Sequence, residues 1–234
     1  KQEAAHYYKL AADQGDIESM TIYADMLDNG DGIPIDKNEA SFYYKLAANK
    51  GDIRSMYNYA LMLDEGDGVQ PNKKEAARYY KMAADRDDIE SIYNYANMLS
   101  QGDGIPADKK EAEKYFRIAA NKGDINSIVG LAILLKSGDK IGAKKEEAAK
   151  LLKTAADLGD IESTFIYASM CNEGDGIPVN KQEAIKYFKI GANKNDIKSI
   201  LKLASMLKTG DGIKENKEEA AKLLKTAADL GDIE

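Results

Sequence analysis

Hydrolytic and group-transfer chemistry needs a nucleophile with a base in reach, and this chain carries one histidine, His6, and one cysteine, Cys171. Stepping along the sequence 36 residues at a time, the position of His6 is taken by Phe42, Arg78, Lys114, Lys150, Lys186 and Lys222. A solvent-facing position tolerates such a mixture, so His6 is not read as catalytic. The position of Cys171 holds Leu27, Leu63, Leu99, Leu135 and Leu207 elsewhere, which marks the thiol as a small buried hydrophobe rather than a reactive group. Ser19, Ser55, Ser91, Ser127, Ser163 and Ser199 recur at the same interval. They have no partner histidine and no G-x-S-x-G elbow, and read as small, partly capping residues. No catalytic triad can be assembled, and the chain is read as not an enzyme.

Metal and phosphate chemistry fare no better. The segment Asp28 to Glu39 has acids at both ends and the length of a calcium-binding EF-hand loop. Its third position is Gly30 instead of a carboxylate, its sixth is Ile33 instead of glycine, and its opening acid becomes Ser100, Lys136 or Lys208 in later copies. Calcium coordination needs those oxygens, so the segment reads as a helix stop and turn. Gly30-Asp31-Gly32 follows a helical pattern and carries an acid, whereas a phosphate cradle follows a strand. No metal and no cofactor is expected.

The formal net charge of −7 argues against nucleic acid as a partner, since phosphate backbones are bound by basic surfaces. One cysteine cannot form an intramolecular disulfide, which suits a reducing compartment, and a cytoplasmic location is the expectation. No stretch approaches the roughly 18 consecutive apolar residues of a membrane span, so no membrane insertion is expected.

What positions these residues is an internal repeat. Glu-Ala recurs at Glu3, Glu39, Glu75, Glu111, Glu147, Glu183 and Glu219, always 36 residues apart, and Gly-Asp at Gly30, Gly66, Gly102, Gly138, Gly174 and Gly210 runs in step with it. The chain therefore divides into six full repeats, 1–36, 37–72, 73–108, 109–144, 145–180 and 181–216, and a half repeat, 217–234. Each repeat reads as two amphipathic helices, in the second copy about Lys37 to Asn49 and Ile53 to Glu65. A capping box, Asp36…Glu39, opens the first helix, and recurs as Asn72…Glu75, Asp108…Glu111, Asn180…Glu183 and Asn216…Glu219, but is broken at Lys144. Asp16, Asp52, Asp88, Asp124, Asp160 and Asp196 are placed to cap the second helices, and Gly30 and its equivalents to stop them.

Ala40, Tyr44 and Ala47 form the apolar stripe of the first helix and Met56, Tyr59, Ala60 and Leu63 that of the second. One pair cannot bury its own apolar face, so the repeats must stack: the fold class is an all-α superhelix, an α-solenoid of 36-residue helix-turn-helix repeats. Twelve of the 14 tyrosines fall on these stripes. In the half repeat, Leu223, Leu224 and Ala227 are expected to face solvent, which suggests an excision from a longer array. The chain is expected to be a monomer in isolation, with this terminal helix able to self-associate. The fourth loop carries Lys140 and Gly142 where other copies have Gly and usually Pro, and reads as a softer joint.

The remaining face of the second helix changes from copy to copy. In the second repeat it comprises Arg54, Asn58, Leu61 and Glu65, spaced to project from one side. One of its columns runs Ile22, Asn58, Asn94, Gly130, Ile166, Lys202 and another Asp25, Leu61, Asn97, Ile133, Ser169, Ser205. Beside them stand Tyr57 and Tyr93, in a column with Thr21, Val129, Phe165 and Leu201. Stacking turns these columns into a strip. The candidate site is Ile22, Asp25, Tyr57, Asn58, Leu61, Tyr93, Asn94, Asn97, Ile133, Phe165 and Ile166, offered to a protein or peptide ligand. Aromatics offer contact area there and asparagine amides can pair with a peptide backbone.

The pattern A-x-x-Y-Y-K-x-A-A-D/N-x-G-D-I-x-S followed by Y-A-x-M-L-x-x-G-D-G-I-P resembles the Sel1-like repeat, a relative of the tetratricopeptide repeat, over the whole chain. Tetratricopeptide repeats themselves run at about 34 residues and lack the Gly-Asp-Gly loop. The resemblance implies that the second helices line a concave groove, and that the chain is a scaffold or adaptor. Sel1-like arrays serve as adaptors in signalling, membrane-protein quality control and cell-wall synthesis regulation. It also leaves open a regulatory or targeting arm of a larger enzyme, such as a protein kinase or ubiquitin-ligase assembly. Some secreted relatives bind or hydrolyse β-lactams, but they staple their repeats with paired cysteines, and this chain has one. The family often places Trp before Tyr in the capped helix; this chain has no Trp and uses Tyr43-Tyr44, Tyr115-Phe116 or Leu151-Leu152.

Overall fold

The computed structural model describes residues 1–137 and 144–231, and among these every regular element is an α-helix. Two compact units are present, Lys1–Ala119 and Ala120–Glu234. The first holds α1 Gln2–Asp13, α2 Ile17–Asn29, α3 Lys37–Asn49, α4 Ile53–Glu65, α5 Lys73–Ala84 and α6 Ile89–Gln101, with most of α7 Lys109–Asn121. The second holds α8 Ile125–Ser137, α9 Lys145–Asp157, α10 Ile161–Glu173, α11 Lys181–Asn193, α12 Ile197–Thr209 and α13 Lys217–Asp229. Within the first unit each helix from α1 to α6 packs on the next, as does each from α8 to α13 within the second. Consecutive packing at a 36-residue period is an all-α solenoid.

The local grammar explains each helix. In α4 the Asp52 carboxylate accepts a 2.7 Å hydrogen bond from the Ser55 N–H, filling one orphan donor of the first turn, a cap worth about 1 kcal/mol. Met56, Tyr59, Ala60 and Leu63 are buried on one side. Gly66, at φ 77°, then turns the chain left-handed and ends the helix. Five further second-helix caps repeat the Asp52 bond, from Asp16 to Ser19 through Asp196 to Ser199.

The capping boxes of the first helices are only half formed. Asp36 accepts from the Glu39 N–H at 2.9 Å. The reciprocal bond, from the glutamate to the cap N–H, is replaced: the Asp36 N–H donates to the Leu27 carbonyl at 3.0 Å, and the Asn72 N–H to Leu63 at 2.8 Å. An orphan carbonyl in the last turn of the preceding helix is thereby satisfied. The freed glutamates reach across to another repeat, Glu39 to Lys9 at 2.8 Å and Glu75 to Lys45 at 3.6 Å. At Lys144 no side chain caps α9, although its N–H keeps the bond to Leu135 at 3.0 Å. Residues 140 and 142 lie outside the described residues, and so does the softer joint expected there.

The Gly-Asp-Gly loop is a clip between repeats. Lys37 holds Asp28 at 2.7 Å and Asp67 at 2.9 Å, joining the end of α2 to the loop after α4. Lys73 repeats this with Asp64 and Asp103. A Cβ on Gly68 would fall 2.4 Å from the Lys37 Cβ and 2.6 Å from its backbone, so only glycine lets the loop approach. Asp28, which opens the segment of calcium-loop length, and Asp31 of the Gly-Asp-Gly turn are taken by Lys37 and Lys1.

Two sequence expectations about the core need correction. Tyr7 is 61% exposed, because α1 is packed by α2 on one side alone, whereas its equivalents Tyr43 and Tyr79 are buried. In α13, Ala227 is buried and Leu223 half-buried, both covered by α12; Leu224, 44% exposed, is the one that faces solvent as expected. The sequence of α13 is identical to that of α9, in which Leu152 is fully buried between α8 and α10.

Candidate functional site

In the first unit the variable strip is built on α2, α4 and α6. Tyr57 and Tyr93 are half-buried, each resting on an aromatic ring of the following first helix: Tyr57 on Tyr80 at 6.1 Å, Tyr93 on Phe116 at 6.2 Å between centroids. Their rings are thus held from beneath while one side stays accessible. Burial raises the Tyr57 phenol above its ordinary value, and the carboxylates of Glu90, Asp88 and Glu65 push the same way, opposed by the Asn94 amide. Tyr57, Glu90 and Asn94 are therefore neighbours across two second helices. Ile22, Asn58, Leu61, Asn94 and Asn97 are all half-buried.

Asp25 differs from the rest of the strip. Its carboxylate accepts from the Tyr44 hydroxyl at 2.7 Å and pairs with Arg54 at 2.8 Å. Burial pushes its carboxyl up, while the Tyr44 hydrogen bond and the Arg54 charge oppose the shift. Two strip residues are thus joined to each other and to the core.

In the second unit the strip is apolar. Ile133, 48% exposed, and Ile166 line an open concavity of about 470 Å³ floored by Leu152. Phe165 packs on Phe188 at 6.0 Å, with the Lys198 ammonium 5.9 Å from its ring centroid. Aromatic seating by the following first helix is thus common to Tyr57, Tyr93 and Phe165.

The residues set aside for chemistry sit as their columns suggested. His6 is exposed, and Cys171 is 1% exposed with its thiol pushed up by burial. The six repeated serines are buried, their N–H groups bonded to the capping aspartates. No helix among the described residues is long and apolar enough to cross a membrane.

Sequence reasoning missed a second kind of concavity, on the first-helix side. In the third repeat Ala77, Tyr95 and Ile105 floor a cleft of about 540 Å³ with Lys74, Arg78 and Lys81 around it. In the fifth repeat Ala149, Tyr167, Ile177 and Pro178 floor one of about 230 Å³ beside Lys150 and Lys153. The two columns vary together in the sequence: alanine stands at 77 and 149 where the second helix has Tyr95 and Tyr167, and Glu113 and Ile185 where it has Leu131 and Leu203.

Comparisons with known proteins agree with this architecture. Among curated proteins none matches the chain. The structure of c5321, a protective antigen of uropathogenic Escherichia coli displaying an SLR fold, superposes at a TM-score of 0.89 with 23% identity. It covers 99% of this chain, which spans half (50%) of its length. A Sel1 repeat protein from Oxalobacter formigenes superposes at 0.75 with 23% identity, covering 91% of this chain and 85% of its own. At such identities the likeness is one of fold. The Sel1 repeat model matches residues 1–16, 17–52, 53–88, 89–124, 126–160, 161–196 and 197–232, so that from residue 17 on each match pairs a second helix with the first helix that follows it. With these matches spanning nearly the whole chain and the fold in agreement, the chain belongs to the Sel1 repeat family.

Proposed function

We propose that this chain is a non-catalytic protein-binding scaffold, and that the second-helix strip of its first unit takes an extended peptide. The observation that carries this reading is the row of Tyr57 and Tyr93, held from beneath by Tyr80 and Phe116 and flanked by Asn58, Asn94 and Asn97. The rings supply large contact area at little entropic cost, since packing has already fixed them. Each asparagine amide offers a donor pair and an acceptor, which is what an extended main chain requires. Glu65 and Glu90, exposed beside Tyr57, favour a peptide with a basic side chain and disfavour a polyanion. In the second unit Ile133 and Ile166 provide an apolar anchor point of their own.

Peptides selected against the intact chain from a random library supply the test. Replacing Tyr57, Asn58, Tyr93 and Asn94 together by alanine should weaken the selected peptides at least about a hundredfold, or roughly 2.7 kcal/mol, with the helical circular dichroism retained. Unchanged affinity in that folded variant would show that the peptides bind elsewhere.

A further inference from the structure

The strip of the first unit carries an ion pair whose counterpart in the second unit has lost its acid. In the first unit the chain satisfies the Arg54 guanidinium itself: Asp25, on the preceding second helix, pairs with it at 2.8 Å and accepts from the Tyr44 hydroxyl at 2.7 Å. Four repeats on, the same three positions hold Lys198, Ser169 and Phe188. The cation is kept, while the carboxylate and the hydroxyl that steadied it are both gone. The Ser169 hydroxyl oxygen is buried with no hydrogen-bond partner among the described residues. Phe165 stands in the column of Thr21, and the Lys198 ammonium lies 5.9 Å from the centre of its ring, a contact that leaves the ammonium without an anionic acceptor.

Lys202, one turn further along α12 in the column of Ile166, is exposed like Lys198, and neither makes an ion pair among the described residues. The apolar part of the same strip begins one second helix away. Ile133, 48% exposed, and half-buried Ile166 line the concavity of about 470 Å³, and Lys136 at its edge is already paired with Asp175 at 3.5 Å. An open apolar surface therefore borders two uncompensated ammonium groups, the opposite sign to Glu65 and Glu90 beside Tyr57 in the first unit. We propose that the second unit's strip is a docking site of its own for an acidic peptide, which lays an aliphatic side chain over Ile133 and Ile166 and brings to Lys198 and Lys202 the carboxylate that Asp25 supplies to Arg54. The assignment rests on the scaffold reading, though not on the Tyr57 strip. Neighbouring second helices at a spacing of about 10 Å correspond to about three extended residues, which sets the distance between the aliphatic and acidic residues of the ligand. Binding buries the aliphatic group and joins charges of opposite sign at its edge.

The probe is the synthetic peptide acetyl-Asp-Glu-Ser-Leu-Leu-Ser-Glu-Asp-amide, acidic at both ends so that either chain direction is served, titrated into the full chain with the methyl resonances of Ile133 and Ile166 observed by NMR. Saturable shifts of both methyls are expected, with a Kd no weaker than about 1 mM. They should vanish when the peptide's leucines are replaced by serine or its acids by lysine. Ser169→Asp restores the internal carboxylate and should weaken binding by occupying Lys198. The double variant Lys198→Glu, Lys202→Glu, at two exposed positions, should weaken binding at least about tenfold whether or not the Ser169 variant folds. Absence of shifts in the parent chain overturns the proposal, as does equal binding by the double variant or by the lysine peptide. Shifts of the same methyls on concentrating the protein without peptide would assign the concavity to a second copy of this chain instead. The alanine variant of Tyr57, Asn58, Tyr93 and Asn94 should bind this peptide as the parent does; loss of binding there would move the peptide to the first unit and overturn the assignment.

Discussion

The hydroxyl of Tyr44 donates a 2.7 Å hydrogen bond to Asp25, linking the core of one repeat to the exposed strip of the one before it. One repeat later the acceptor column holds Leu61, and the hydroxyl of Tyr80 is buried with no hydrogen-bond partner among the described residues. The same tyrosine column is therefore tied to the strip in one repeat and carries an unpaired polar atom in the next.

Tyr44→Phe and Tyr80→Phe should consequently act in opposite directions. The first removes a bond to a charged acceptor and should cost about 1–3 kcal/mol in urea unfolding. The second removes a buried unpaired hydroxyl and should be neutral or stabilise by up to about 1 kcal/mol. Equal destabilisation by both would contradict the bonding described.

Glycine is required at Gly68 by close approach, whereas at Gly51 it answers only the backbone. Both have positive φ, but nothing among the described residues lies within 4 Å of a Cβ on Gly51, and its column holds Asp87 and Asn195, also at positive φ. Gly51→Asn should cost less than about 1 kcal/mol, while Gly68→Ala adds a collision with the Lys37 backbone and should cost at least about 2 kcal/mol more. Thermal melts of the two variants beside the parent check the difference.

The inter-repeat ion network sets a pH window. Asp157 is held below the usual carboxylate value by the Tyr187 hydrogen bond, burial opposing and Lys153 adding to the lowering. Its contribution is present above the unfolded value, about 3.9, and is lost as pH falls through the folded one. Lys153 is raised by the Tyr187 hydrogen bond, with burial opposing and Asp157 adding to it. Its contribution is complete below the unfolded value, about 10.4, and is lost as pH rises through the folded one. The urea midpoint should be flat between about pH 5 and 9 and fall on both sides. Asp157→Asn should blunt the acid limb; an unchanged limb would remove Asp157 from the account.

Cys171, 1% exposed and with its thiol raised by burial, should react with a thiol reagent only as fast as the chain opens. Labelling rates followed across increasing urea should track unfolding. Fast labelling of the native chain would place the thiol at the surface.

Much of this was legible because each helix announces itself locally. Asp52, Ser55 and Gly66 define the start and stop of α4 without reference to anything distant, and the period gave six chances to see the same rule. The partners of the charged side chains were not legible in this way. Glu39 reads as the second half of a capping box, yet its backbone duty is taken by the Leu27 carbonyl, a pairing that exists only after repeats stack. Asp31 likewise reads only as part of a turn, and its ion pair with Lys1, 30 residues away, exists only after the repeats stack. On the strip, sequence placed Tyr57 and Asn94 on the same variable face; it could not show that Tyr80 seats the ring or that Asp25 is bound to Tyr44 and Arg54. The cleft over Tyr95 and Ile105 escaped because Ala77 in an alanine-rich helix reads as close packing, and the loop residue Ile105 joins that surface only in the folded repeat.

Mapping a library-selected peptide on the intact chain by NMR tests the scaffold reading most directly. The side-chain amides of Asn58, Asn94 and Asn97 and the rings of Tyr57 and Tyr93 should shift together and saturate at one Kd. Shifts confined to first-helix residues, with those amides unmoved, would contradict it.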